Sequence, residues 1–301
     1  MKFTKMQGAG NDYVYVDCTV EPLENAEAAA RLVSDRHFGI GSDGLVLIKK
    51  SDRADFFMAM YNADGSQAQM CGNAIRCVAK YVYDNGLTDK KSIAIDTLAG
   101  IKYIELNIDE NSNKAVSAVV NMGSPILKSS EIPVKLPGQN ISGVLDTDIE
   151  DAVVNKKLVV SGKEYNVTCV SMGNPHCVVF VDDDFDMDNF KIEETAPAFE
   201  NHEMFPERIN TEFVKVRDRQ NLIMRVWERG AGETLACGTG ACAVLVAAVL
   251  NGLSEDSAVV HLLGGDLRIE WNRKNNVVFM EGPAVTVFEG CINIQNGGKN
   301  V

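Results

Sequence analysis

The sequence predicts an α+β fold made of two similar lobes that arise from an internal duplication. The chain has 301 residues, which is long for one average domain and suits two. Each half contains many short apolar segments and one strongly apolar helical segment, whereas a doubly wound sheet would alternate strands and helices steadily. The same short motifs recur in the same order in both halves, which indicates duplication.

The first half is predicted to contain two helices among short strands. The Ala-rich helix Asn25–Arg36 begins with Asn25 as its N-cap, and a second helix, Ala74–Asn85, ends before Gly86. The pair Ala99–Gly100 predicts a tight hairpin turn. The predicted strands are Tyr13–Asp17, Leu45–Lys49, Phe56–Tyr61, Ser92–Thr97, Ile101–Asp109 and Ala115–Val120.

A segment with three prolines, which contains Pro125 and Pro137, is the best candidate boundary between the halves. We expect residues 1–123 and 279–301 to form one lobe and residues 124–278 the other. The helix Thr239–Leu250 is predicted to lie in the core, and an acidic, Pro-bearing region before Phe213 is predicted to be a loop. The predicted strands are Leu158–Val160, Tyr165–Ser171, Cys177–Val181, Phe213–Val216 and Leu222–Trp227, with short strands after the helix.

The internal repeat is defined by its spacing. Gly10-Asn11 precedes an apolar strand in the first half, and Gly173-Asn174 does so in the second. Cys71 follows Asn11 by 60 residues, and Cys237 follows Asn174 by 63. Asn62 and Glu228 each lie nine residues before the cysteine of their half. A duplicated domain explains this agreement, and two facing copies would bring one cysteine from each half to a shared cleft.

Composition and charge exclude several classes of protein. Apolar residues make up 46% of the chain, which is enough to form a core and excludes overall disorder. The net charge of −13 disfavours nucleic acid and anionic membrane surfaces as partners. The longest apolar run, Ala241–Leu250, is too short to cross a bilayer. No secretory signal pattern is visible at the start, so we expect a cytoplasmic protein without a disulfide framework.

Two of the eight cysteines have a distinctive context. Cys71 and Cys237 each precede a glycine at a predicted helix start. The unpaired amides of a first helical turn favour an anion and stabilise a thiolate, and glycine allows a ligand to approach the backbone. Two thiols on opposite faces of one carbon would permit stereochemical inversion, since one removes a proton and the other returns one. Cys77 and Cys242, further along the same helices, are predicted to be packing residues.

These residues lie in motifs that resemble the diaminopimelate epimerase family, whose members invert an amino-acid centre without pyridoxal phosphate. The resemblance covers nearly the whole chain, through Gly282-Pro283-Ala284. It implies two lobes, each with a curved mixed or antiparallel sheet around a central helix, and an active site in the cleft between them. The matching motifs are Lys5–Asp12, Asp35–Gly41, Asn62–Ser66, Met70–Asn73, Met172–Cys177, Glu228–Thr234 and Ala236–Cys242.

The resemblance also implies residue roles. Cys71 and Cys237 would be the acid/base pair, and His176 and Glu228 would tune the two thiols. The helix starts at Gly72-Asn73 and Gly238-Thr239 would hold the reacting carboxylate. Further substrate contacts would be Asn11, Asn62, Asn174, Asn210, Glu228 and Arg229, whose amide, carboxylate and guanidinium groups suit a substrate with a second amino-acid head. The resemblance implies that the protein needs no cofactor and no metal, and that it forms a homodimer.

The predicted reaction is inversion of L,L-diaminopimelate to the meso isomer, a step towards lysine and peptidoglycan precursors. One alternative keeps the two thiols and changes the substrate, as in proline racemase and its relatives. A second alternative is a non-catalytic thiol- or metal-binding protein that uses the cysteines, although no pair has the C-x-x-C spacing of zinc or redox motifs.

Overall fold

The computed structural model describes residues 1–294, and the chain divides into two compact units. The first unit comprises Met1–Val120 and the stretch that begins at Gly282, and the second comprises Asn121–Glu281. The last part of the predicted segment 279–301, from residue 295 on, lies outside the described residues. Each unit combines a mixed sheet with helices, so the predicted α+β class is confirmed.

The first unit contains two helices, α1 (Ala26–Ser34) and α2 (Gly72–Asp84). The Asn25 side chain accepts a hydrogen bond from the backbone of Ala28, so the predicted N-cap of α1 is confirmed. The strands are β1 (Lys2–Gly8), β2 (Asn11–Asp17), β3 (Gly44–Lys49), β4 (Phe56–Asn62), β5 (Gln67–Ala68), β6 (Ser92–Asp96), β7 (Lys102–Asp109) and β8 (Lys114–Gly123).

The second unit contains a 3₁₀ turn (Ser129–Glu131) and two helices, α3 (Ile192–Glu200) and α4 (Gly238–Leu250). Its strands are β9 (Gln139–Ile141), β10 (Ile149–Ala152), β11 (Lys156–Val160), β12 (Lys163–Ser171), β13 (Pro175–Val181), β14 (Asn210–Asp218), β15 (Asn221–Glu228), β16 (Gly232–Thr234), β17 (Ser257–Leu262), β18 (Gly265–Asn272) and β19 (Val277–Pro283). The last strand of the chain, β20 (Val285–Cys291), belongs to the first unit.

The two units repeat one strand order. In the first unit the strands pair as β20-β1-β2-β3-β4-β6-β7-β8, with parallel pairs only at β2–β3 and β4–β6 among those described. In the second they pair as β11-β12-β13-β14-β15-β17-β18-β19, with parallel pairs at the matching places, β13–β14 and β15–β17. The same sequence of pairings supports the predicted duplication.

Helices α2 and α4 occupy matching places in the two chain segments and are largely buried. Both begin at a glycine that follows a cysteine, and α4 is buried at almost every position from Gly238 to Ala248. Burial on all sides explains why α4 is apolar throughout. Among the described residues, no helix has the length and apolar character needed to cross a membrane.

Three local predictions were wrong or incomplete. The acidic, Pro-bearing region contains helix α3, because Glu193 and Glu194 in its first turn favour a helix start and Ile192, Ala196 and Phe199 are buried. Strand β1 was not predicted, since its lysine and glutamine interrupt the apolar pattern. Helices α2 and α4 begin at Gly72 and Gly238, slightly before the predicted Ala74 and Thr239.

Candidate active site

Cys71 is the N-cap of α2. Its backbone is extended, with φ −137° and ψ 124°, and its side chain is half-buried. The first α-helical hydrogen bond runs from the Ile75 amide to the Cys71 carbonyl, so the amides of the preceding residues stand outside the helical ladder. The Cys71 thiol donates to Asn11 Oδ1 at 3.3 Å, and the Asn73 amide donates to the same oxygen at 3.5 Å.

The Asn11 amide is positioned by Asp43, an acidic residue that the sequence motifs did not indicate. Its amide nitrogen donates to Asp43 Oδ2 at 2.7 Å, and the Asp12 backbone amide donates to the same oxygen at 3.1 Å. Arg36 bridges Asp12 and Asp43. Burial opposes ionisation of Asp12, but hydrogen bonds from Arg36 and Lys5 hold its pKa below the ordinary value. The oxygen of Asn11 is therefore left to face Cys71.

Arg76 fixes the first turn of α2 from inside the unit. Its side chain is fully buried and donates to Gly72 O at 3.1 Å, Asn73 Oδ1 at 3.0 Å and Pro283 O at 3.3 Å. The last contact ties the start of α2 to the end of β19. Cys77, the residue after Arg76, is also fully buried, and burial raises its pKa to about 11. Cys77 is accordingly a packing residue, as predicted.

Cys237 has the same local geometry at the start of α4. It is the N-cap, with φ −125° and ψ 110°, and the first helical bond runs from the Ala241 amide to the Cys237 carbonyl. Its thiol is buried and lies 3.5 Å from Thr239 Oγ1. Burial, followed by the negative charges of Glu228 and Glu212, raises the pKa of Cys237 well above its ordinary value.

His176 forms a buried chain of hydrogen bonds in the second unit. Its Nε2 lies 3.1 Å from Asn174 Oδ1, and its Nδ1 lies 2.6 Å from Glu212 Oε1. His176 and Glu212 are both completely buried, and Asn174 is half-buried. Sequence analysis missed Glu212, although its position two residues after Asn210, on the same face of a strand, was a usable signal.

The remaining predicted contacts lie at loop ends. Asn210 is buried and uses its amide within the protein: the nitrogen donates to Pro175 O at 2.8 Å, and the oxygen accepts from the Arg229 backbone amide at 2.9 Å. Glu228 accepts from the Thr234 hydroxyl at 2.6 Å. Asn62 donates to Ser66 Oγ at 3.0 Å in the turn after β4.

Within each unit, the structure therefore brings together a thiol, a helix start and polar side chains. In the first unit these are Cys71, Gly72, Asn73 and Asn11; in the second, Glu228 and the helix start at Gly238-Thr239 accompany Cys237. Asn62 is bonded to its own turn, and Asn210 is bonded to Pro175 and to the Arg229 backbone. No cluster of three or more potential metal-ligating side chains occurs among residues 1–294.

Comparison with known proteins places this arrangement in a family. A family model described as diaminopimelate epimerase matches residues 3–128 and 168–287, which include every residue named above for the candidate site. The chain belongs to the diaminopimelate epimerase family. The resemblance predicted from the motifs is thus confirmed, and the protein is an isomerase by membership of this epimerase family.

Individual diaminopimelate epimerases match over almost the full chain. One from Acetivibrio thermocellus is 58% identical over 294 residues, which cover 98% of this chain and 99% of the relative. One from Methanococcus maripaludis strain C6 is 54% identical over 294 residues, which cover 98% of this chain and all of the relative. At this identity and coverage, the family assignment applies to the two units together.

Solved structures share the fold at low sequence identity. A hydroxyproline epimerase from Agrobacterium vitis has a TM-score of 0.64 at 12% identity and covers 96% of this chain and 90% of that one. A PhzF-family protein from Bacillus anthracis has a TM-score of 0.63 at 17% identity and covers 97% and 99%. The diaminopimelate epimerase fold described above is therefore shared with proteins of other families.

Proposed function

We propose that the protein interconverts L,L- and meso-diaminopimelate by a two-base reaction that needs no cofactor. The observation that supports this most strongly is the matched position of Cys71 and Cys237. Each is an N-cap before a glycine, at the same place in two segments with the same strand order, in a chain that belongs to the diaminopimelate epimerase family. In the proposed reaction one thiolate removes the α-proton and the opposite thiol delivers a proton to the other face.

The α-proton of an amino acid is very weakly acidic, so a thiolate alone cannot drive its removal. We propose that the free amides at the starts of α2 and α4 hold the reacting carboxylate and stabilise the negative charge that develops on it. Cys71 and Cys237 then belong to the same turns that bind the carboxylate. Binding of the carboxylate by these two turns would place the α-carbon next to both sulfurs.

The far end of the substrate carries a second ammonium and carboxylate. We propose that Glu228 and the Asn11 and Asn174 amides contribute to binding this head, together with Arg229. Arg229 already donates to Glu207 O at 2.7 Å and retains further N–H groups for a carboxylate. Asn62 and Asn210 would act by shaping the loops, since both amides are bonded within the protein.

A substrate panel tests the proposed specificity. Purified, reduced protein without added cofactor is incubated separately with L,L-diaminopimelate, L-lysine, L-proline and trans-4-hydroxy-L-proline, and the products are resolved by chiral chromatography. We expect inversion of diaminopimelate alone. Inversion of proline or hydroxyproline with no turnover of diaminopimelate would instead support a related two-thiol racemase.

The homodimer and the cytoplasmic location expected from the sequence belong to the same proposal. Light scattering of the purified protein checks the first, and fractionation of its host cells checks the second. If the protein is a fully active monomer, the predicted homodimer is wrong and the proposed two-base reaction is unaffected.

The reaction rate should have a bell-shaped dependence on pH. Below the first thiol ionisation no base is present, and above the second no proton donor remains. Because burial and the nearby carboxylates raise the pKa of Cys237, we expect the alkaline limb to lie above about 8.5, the ordinary thiol value. Initial rates of inversion measured from acid to alkaline pH check this, and the two apparent values belong to the thiol pair. A rate that only rises with pH would argue for a single base.

Mild oxidation should inactivate the protein through a disulfide between Cys71 and Cys237. Two thiols that flank one carbon are expected to meet when no substrate separates them, and dithiothreitol should restore activity. Peptide mapping of the oxidised protein checks the pairing. As a control, Cys291→Ser removes an exposed thiol and should leave the inactivation unchanged. Inactive oxidised protein with both candidate thiols still free would refute this prediction.

A further inference from the structure

Glu212 is a fully buried carboxyl whose place in the fold calls for an explanation. It lies on β14 two residues beyond Asn210, and Asn210 is in register with His176 on the parallel neighbour β13. The side chains of Asn210, Glu212 and His176 therefore share one side of the sheet. A buried acidic group lowers stability unless its partners compensate, so its presence here indicates a role beyond packing.

His176 contacts Asn174 and Glu212 through its two ring nitrogens. Its Nε2 faces an amide oxygen, Asn174 Oδ1, and so donates to it. Its Nδ1 lies 2.6 Å from Glu212 Oε1, so a proton must lie between these two atoms. This distance is just below the usual range for charge-assisted hydrogen bonds, so His176 holds the Glu212 carboxyl group firmly in place.

The same carboxylate oxygen lies against the first turn of α4. A Cβ atom built on Gly240 would be 2.8 Å from Glu212 Oε1 and 3.3 Å from Cys237 Sγ. Gly240 thus leaves the space in which the Glu212 carboxylate and the Cys237 sulfur approach one another.

Other groups near Glu212 and Cys237 raise or lower the pKa values of these two residues. Glu228, on β15, adds a second negative charge near both Glu212 and Cys237, and burial followed by Glu228 raises the pKa of Glu212 while His176 opposes the increase. Thr239 and the Gly240 amide lower the pKa of Cys237. On β13, Cys177 is a buried thiol whose pKa is raised by burial, by Cys169 and by Glu212.

We propose that Glu212 is a positioning residue for Cys237: its carboxylate, locked beside the first turn of α4 by His176, holds the Cys237 thiol protonated in the substrate-free protein. The inference rests on the proposed function only in taking Cys237 as a reacting thiol. In the two-base reaction one thiol must begin as the donor and the other as the base. The Glu212 charge would assign the proton to Cys237, and would make the Cys237 thiolate a stronger base once it forms.

The test reads the ionisation of Cys237 without substrate. Protein labelled with [3-¹³C]cysteine is titrated by NMR, and the Cys237 signal is assigned by its absence in Cys237→Ala. In the unaltered protein we expect a midpoint above about 8.5, the ordinary thiol value. In Glu212→Gln, which keeps the shape and removes the charge, we expect the midpoint to fall by about one unit, a tenfold change in acidity. Glu212→Leu, which removes the charge in another way, should do the same.

Matched controls separate charge from disturbance of the strand. Thr211→Val alters the adjacent buried position, whose hydroxyl has no hydrogen-bond partner among the described residues, and should leave the Cys237 midpoint unchanged. Exposed Cys291 serves as the internal reference in every spectrum. An ordinary or lower Cys237 midpoint in the unaltered protein would overturn the proposal, and so would an unchanged midpoint in a folded Glu212 variant or an equal shift in Thr211→Val.

The epimerase assay is read separately on the same preparations. Suppose that the unaltered protein inverts diaminopimelate but Glu212→Gln does not change the Cys237 titration midpoint. The role of Glu212 would then be refuted, and the proposed function would stand. If the Cys237 midpoint shifts as expected but the protein inverts no amino acid, the role of Glu212 would stand and the proposed function would be refuted.

Discussion

Cys71→Ala should abolish inversion yet still exchange the α-hydrogen of one diaminopimelate stereoisomer with solvent. The remaining Cys237 thiolate can remove the α-proton from the face that it meets and return a solvent-derived proton to that face. Cys237→Ala should exchange the opposite stereoisomer, and the double variant should exchange neither. Loss of one acid/base group typically lowers a rate by about a hundredfold to ten-thousandfold, so the exchange needs long incubation in deuterated water.

Cys77→Ala is the matched control for this experiment. Cys77 lies in the same helix as Cys71, is fully buried and has a pKa raised by burial to about 11, so its replacement should leave inversion and exchange close to those of the parent. Mass spectrometry and chiral chromatography measure label and configuration in each sample. A folded Cys71→Ala protein that inverts its substrate near the parent rate would contradict the two-base reaction.

Arg76→Met should strongly destabilise the first unit and lower activity with it. The substitution leaves three acceptors, Gly72 O, Asn73 Oδ1 and Pro283 O, without their buried donor. Each unsatisfied buried group costs about 1–3 kcal/mol, so we expect unfolding to become easier by at least about 3 kcal/mol. Urea unfolding followed by circular dichroism measures the loss, and hydrogen exchange along α2 locates it.

Arg31→Met provides the comparison for Arg76→Met. Arg31 is exposed on α1 and donates one hydrogen bond, to the Asp64 carbonyl at 3.1 Å, so the same substitution there should change stability by less than about 1 kcal/mol. If both variants unfolded at the same urea concentration, the Arg76 network would not be the feature that holds the start of α2.

Features that depend on local pattern were accessible from the sequence. The repeat spacing predicted that Cys71 and Cys237 occupy matching helix starts, and the structure places both as N-caps with similar backbone angles. The apolar run after Gly240 predicted a buried helix, which is α4. Helix α3 was missed because its acidic first turn and internal Pro197 are typical of loops as well.

Features that depend on distant partners were not accessible in this way. Asp43 supports Asn11 from 32 residues away, and Arg76 bonds to Pro283 across 207 residues. Glu212 meets His176 because β13 and β14 pair in parallel, and no local motif signals that pairing. The thiols and their nearest polar neighbours could therefore be predicted from sequence motifs, whereas Asp43, Arg76 and Glu212 required the structure.

Inversion should need no acid/base groups other than the chain's own two thiols, and one incubation tests this requirement most directly. Purified, reduced protein is mixed with L,L-diaminopimelate in deuterated water without any cofactor, and the configuration and label of the product are measured together. The two-base account predicts meso-diaminopimelate with one deuterium at the inverted α-carbon. Recovery of unlabelled, uninverted substrate from folded protein with both thiols reduced would contradict it.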